Sequence, residues 1–140
     1  MQYVEHIGIA VKNLEESNAL FSRLLGVMPY KLETVESEHV RTSFFRKGET
    51  KIELLESIGA GGPIGKFIEK RGEGIHHIAF EVQDIRAEME RLRDEGFQLL
   101  NEEPKMGADH KLVCFIHPKS ANGVLIELCQ SIMDPEISME

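Results

Sequence analysis

His6-Ile-Gly-Ile-Ala-Val11 and His77-Ile-Ala-Phe-Glu-Val82 are two versions of one motif, and reading them as a repeat decides the fold. Each is followed by a strand-like apolar run with one glutamate, Ile52-Glu53-Leu54-Leu55 in the first half and Val124-Leu-Ile-Glu127-Leu128 in the second. Histidine and glutamate stand 47 residues apart in the first copy (6 to 53) and 50 apart in the second (77 to 127). Seven residues past each histidine comes a helix-starting side chain, Asn13 or Asp84, whose oxygen can accept from the free amides of a first turn. Asn13 also has Glu16 at capping-box spacing. Behind the caps, Leu20, Phe21, Leu24 and Leu25 in one copy and Ile85, Met89 and Leu92 in the other recur at helical intervals. Gly26 and Gly96 then supply helix stops. Each half reads as strand, helix, then further strands.

Alternation along a strand says which way the repeated residues point. His6 shares a face with Gly8 and Ala10, opposite Ile7, Ile9 and Val11; His77 goes with Ala79 and Glu81, opposite Ile78, Phe80 and Val82. His76 falls on the other face from His77. Glu53 points away from Ile52 and Leu54, and Glu127 away from Ile126 and Leu128. A carboxylate in an apolar strand needs a partner, because burying it unpaired costs several kcal/mol. Singly, these residues read as edge glutamates and satisfied core histidines. As four residues at matched positions, His6, Glu53, His77 and Glu127 read as ligands of one divalent metal ion per chain. Imidazole with carboxylate suits cobalt, zinc, nickel, manganese or iron, and four protein ligands leave room for substrate oxygens in a larger shell.

The composition limits the remaining options. A net charge of −8 disfavours nucleic acid and anionic membrane surfaces, which attract basic proteins. No apolar run is long enough to span a bilayer, and the chain enters a strand at once with no signal-like segment, so a cytoplasmic location is expected. Cys114 and Cys129 form no close ligand pair and read as reduced core residues. Gly59-Ala-Gly-Gly-Pro-Ile-Gly65 lacks the Lys-Ser or Lys-Thr of a phosphate loop and reads as a flexible linker, with a short helix possible over Lys66-Phe-Ile-Glu-Lys-Arg71. The expected organisation is one domain over 1–130, with module one over 1–58, a linker over 59–73 and module two over 74–130. Residues 131–140 read as a loosely attached tail. A sheet edge between similar modules suggests a homodimer.

Residues 3 to 130 resemble the vicinal oxygen chelate, or glyoxalase-like, superfamily. The resemblance implies an α+β fold of two βαβββ modules forming a cupped mixed sheet around a metal site. Within that group the likeness is greater to the methylmalonyl-CoA epimerase family, through Lys51-Ile-Glu-Leu-Leu55, Pro63-Ile-Gly-Lys-Phe67, Gly74-Ile-His-His-Ile-Ala-Phe80, Gly107-Ala108, and Phe115-Ile-His-Pro-Lys119 with Gly123-Val-Leu-Ile-Glu127. That family's metal ligands fall on His6, Glu53, His77 and Glu127. Its reaction is epimerisation of an acyl-CoA thioester by proton abstraction and return through a metal-stabilised enolate, which calls for two acid/base groups. Glu127 is the first candidate and Glu53 the second. Some members carry a further catalytic glutamate on the preceding strand; here Arg41-Thr42-Ser43 offers no acid.

Lys119 and Gly123 are candidates for holding the acyl-CoA, although a solvated turn lysine explains Lys119 equally well. His110 and His117 read as ordinary hydrogen-bonding residues. Two other functions fit the same scaffold: a glyoxalase I, which shares the ligand pattern but needs basic residues for the two carboxylates of glutathione, and a metal-free small-molecule binding protein, which needs no matched ligands. An iron oxygenase expects two histidines and only one carboxylate.

Overall fold

The computed structural model describes residues 1–132 and divides into two compact units, Val4–Ala79 and Met1–Tyr3 with the chain from Phe80 onward. The first unit runs β1 (Tyr3–Ala10), α1 (Leu14–Leu25), β2 (Lys31–Val35), β3 (Val40–Lys47), β4 (Thr50–Ser57), α2 (Pro63–Arg71) and β5 (Gly74–Glu81), whose last two residues belong to the second unit. Its strands lie in the order β2-β3-β4-β1-β5. β1 and β4 pair in parallel, while β2 with β3 and β3 with β4 pair antiparallel, so the sheet is mixed.

The caps form as their residue types dictate. Asn13 Oδ1 accepts from Glu16 N at 2.9 Å, and Gly26 ends α1 in a left-handed conformation. Leu14, Phe21 and Leu25 turn α1 towards Val11, Phe45 and Leu54, forming the core behind the sheet. The periodicity predicted Leu20 and Leu24 in this stripe as well, but they are 52% and 69% exposed. The apolar run is wider than the face the sheet can cover, and Leu14 and Phe21 win the inner positions.

The glycine-rich connector is more ordered than a linker. Pro63 starts α2 three residues earlier than Lys66, at a position where its missing N–H costs nothing. Ile64 is buried with Ala10, Val40 and Leu55, and Phe67 and Ile68 pack beside them. A Cβ on Gly65 would meet Ser57 Oγ at 2.9 Å, so the glycine lets the helix approach β4.

The second unit contains α3 (Ile85–Asp94), β6 (Lys105–Met106), β7 (Lys111–Ile116) and β8 (Ile126–Ser131), with strands in the order β8-β7-β6. Asp84 caps α3 through Ala87 N at 3.1 Å, and Gly96 follows the helix with φ +93°. Ile85, Met89 and Leu92 bury together against Val82, Cys114, Ile116 and Leu128, as the spacing predicts. Cys114 and Cys129 are both buried thiols. Ser131 belongs to β8, and from residue 133 onward the expected tail lies outside the described residues. Among the described residues no helix is long and apolar enough to cross a membrane.

Candidate metal centre

Strand order assembles the centre within the first unit. The parallel register sets Gly8 beside Glu53 and His6 beside Lys51, while β5 on the other side of β1 carries His77. A Cβ on Gly8 would lie 2.1 Å from Cε1 and 2.4 Å from Nδ1 of His77, so the imidazole occupies the space that any other side chain at position 8 would fill. The glycine of the first motif is therefore the seat of the second motif's histidine.

Three electron-pair donors converge there. His6 Nε2 is 3.0 Å from His77 Nε2, and Glu53 Oε1 is 3.3 Å from the former and 3.4 Å from the latter. All three residues are buried. The rings meet edge to face, with centroids 5.1 Å apart and planes at 88°. Burial pushes the Glu53 carboxyl up, but the hydrogen bonds and charges of His6 and His77 outweigh it and hold the group well below the usual carboxylate range.

The atoms facing away from the cluster also have partners. His6 Nδ1 lies 2.7 Å from Glu5 Oε1, and Lys51 Nζ lies 2.7 Å from Glu5 Oε2. A carboxylate only accepts, so Nδ1 of His6 carries a proton, and Nε2 is the nitrogen turned to the cluster. Thr42 Oγ1 donates to Glu53 Oε2 at 2.9 Å, leaving Oε1 for the imidazoles. His77 Nδ1 is 2.9 Å from His76 Nδ1, and the His76 ring stands edge-on to Phe67 at 5.0 Å. Burial and the neighbouring His77 depress the pKa of His76 to about 4, against a smaller upward pull from Glu53. His76 is thus neutral near pH 7.

A set of two imidazole nitrogens and a carboxylate oxygen with lone pairs turned inward fits a divalent cation. Donor spacings of 3.0 to 3.4 Å suit an ion bound at about 2.0–2.2 Å. The pairing of each outer nitrogen is the usual support of metal-ligating histidines.

Of the predicted ligands, the first unit brings together His6, Glu53 and His77. Glu127 belongs to the second unit, on β8 opposite Phe115, buried between Ile126 and Leu128. Lys119 is exposed in a 3-10 turn over Pro118–Ala121, and its backbone N–H donates to His117 Nδ1 at 3.0 Å. Gly123 follows that turn with φ +86°. Sequence reasoning missed Glu5, Lys51 and Thr42, and set His76 aside as facing away. Lys51 was accessible to it, since alternation places it on the Glu53 face.

The model of the Glyoxalase/Bleomycin resistance protein/Dioxygenase superfamily matches residues 5–115. An ethylmalonyl-CoA/methylmalonyl-CoA epimerase from Cereibacter sphaeroides is 43% identical over 129 residues, covering 91% of this chain and 96% of that one. The mitochondrial methylmalonyl-CoA epimerase of Homo sapiens is 38% identical, with 91% of this chain and 73% of that protein covered. Among solved structures, a methylmalonyl-CoA epimerase in complex with methylmalonyl-CoA and NH4+ is 33% identical, with a TM-score of 0.90 over 94% of this chain and 95% of that one. A Streptomyces coelicolor methylmalonyl-CoA epimerase in complex with 2-nitronate-propionyl-CoA reaches a TM-score of 0.91 at 32% identity, covering 95% and 99%.

Proposed function

Because the chain belongs to the glyoxalase/bleomycin resistance protein/dioxygenase superfamily, in the family of the methylmalonyl-CoA epimerases, we propose that it epimerises methylmalonyl-CoA. The observation that carries this reading is the buried convergence of His6 Nε2, His77 Nε2 and Glu53 Oε1 in a chain 43% identical to an enzyme of that activity. We assign His6, Glu53, His77 and Glu127 as ligands of one divalent ion drawn from cobalt, zinc, nickel, manganese and iron. Bound there, the ion supplies positive charge that stabilises negative charge developing on substrate oxygens.

The chain's own part is to move a proton between the two faces of one carbon. A carboxylate takes the proton from the carbon between thioester and carboxylate, leaving the electron pair delocalised into the thioester carbonyl. A carboxylic acid on the opposite face then returns a proton to that carbon, and the product is the other epimer. Glu127 takes the leading role. Glu53, which accepts from Thr42 and lies beside the two imidazoles, is the second of the pair. Lys119 and the backbone at Gly123 are assigned to the acyl-CoA.

We further read the chain as a homodimer, as one domain of two repeated modules, and as cytoplasmic. The last fits two buried cysteine thiols. The test is paired. The α-hydrogen of methylmalonyl-CoA should exchange with deuterated solvent in the presence of the enzyme. Absence of exchange, with turnover of methylglyoxal plus glutathione instead, assigns a glyoxalase.

A further inference from the structure

We infer that Glu5, clamped by Lys51, is a positioning residue that fixes the tautomer and orientation of His6 and so sets the affinity of the centre for its cation. The inference rests on the metal reading above but concerns residues that this reading does not use. Glu5 sits next to His6 on β1, and simple alternation would send the two side chains to opposite faces. Instead Glu5 is 3% exposed, with Oε1 at 2.7 Å from His6 Nδ1 and Oε2 at 2.7 Å from Lys51 Nζ. Lys51 is itself 8% exposed and stands beside His6 in the parallel register.

Two buried charges are retained here where an apolar pair would fill the same space, and burying an ion pair is no general route to stability. The arrangement has a specific consequence for the imidazole. The nitrogen that carries the proton is set by the hydrogen bond the other nitrogen makes, and an acceptor at Nδ1 leaves Nε2 free as a ligand atom. Lys51 completes the device by holding the carboxylate from its far side. The chain Lys51–Glu5–His6 thus crosses from β4 to β1 and ends at the donor cluster.

The experiment reads two signals. In metal-free protein, nitrogen NMR of the histidine rings should show His6 with a protonated Nδ1, and Glu5→Ala should shift it towards the Nε2-protonated form. Chelator competition with cobalt(II) should show affinity falling about 10- to 100-fold in Glu5→Ala. Glu5→Gln keeps an acceptor oxygen and should recover most of the affinity, a rescue that a merely space-filling role would not require. Glu5→Ala leaves the Lys51 ammonium buried, so Glu5→Leu with Lys51→Met is the companion variant. It removes both charges, keeps the volume, and should lose cobalt affinity to the same degree while remaining folded. Unchanged His6 nitrogen signals, or folded variants that hold cobalt within about twofold of the parent, would overturn the inference. If the parent itself takes up no cobalt while the tautomer shift is seen, the metal reading fails and the positioning role stands.

Discussion

The surroundings of His6 and His77 perform one task with different chemistry. In both, the residue immediately before the histidine occupies its Nδ1: Glu5 at 2.7 Å in the first motif and His76 at 2.9 Å in the second. Glu5 brings a charge and draws in Lys51 of β4 to balance it. His76 stays uncharged, its pKa pushed down to about 4 by burial and His77, and rests edge-on against Phe67 of α2. One histidine is therefore secured by an ion pair to a neighbouring strand and the other by packing against a helix. The repeat preserves the position of the support but leaves its chemistry free, so the two histidines should fail differently when their supports are removed.

The largest expected effect treats both halves alike. His6→Ala and His77→Ala should each reduce bound metal from about one ion per chain to a trace by elemental analysis, since three donors cannot hold what a complete set holds. A difference between them would mean that the two motifs are not equivalent ligands. Next comes the asymmetry itself. Glu5→Ala, which removes the carboxylate from beside a buried ammonium, should cost about 3–5 kcal/mol in urea denaturation. His76→Ala removes a neutral partner and should cost only about 0.5–1.5 kcal/mol for the lost hydrogen bond, plus the lost contact with Phe67. Equal costs would break the comparison.

Gly8→Ala should fall between them, at about 1–3 kcal/mol from overpacking against the His77 ring, and metal binding should weaken with it. Histidine NMR would check that His77 alone is displaced. The smallest effect is the control. Leu24→Lys on the outward face of α1 should change stability by no more than about 0.5 kcal/mol, since the residue is 69% exposed.

The helix caps and the buried stripe Ile85, Met89 and Leu92 were legible in the sequence, because each depends on local periodicity or a local cap, and the meeting of His6, Glu53 and His77 was legible through the repeat. Other features needed a partner from elsewhere in the chain. Glu5 was hidden because alternation fixes where a Cβ points, whereas a glutamate side chain is long enough to bend back to an adjacent ring. Thr42 was noticed only as the absence of an acid; its hydroxyl matters through a glutamate on the neighbouring strand. Leu20 and Leu24 were overread, since a helical apolar run does not announce how wide a surface will cover it. The helix over Pro63–Arg71 is foreseen only from Lys66, its first turn masked by glycines that in the structure permit close approach to Ser57 of β4 and to His39.

The hydrogen that serves as the side chain of Gly8 couples positions 8 and 77 in volume: a Cβ at position 8 would require the His77 ring to shift. The pair can therefore be used as a one-letter diagnostic. In a chain built on this plan, anything bulkier than glycine at the place of Gly8 is expected to report a histidine that has moved or vanished. Exchanging the two volumes, Gly8→Val with His77→Gly, should yield a well-packed but metal-blind version of the same scaffold.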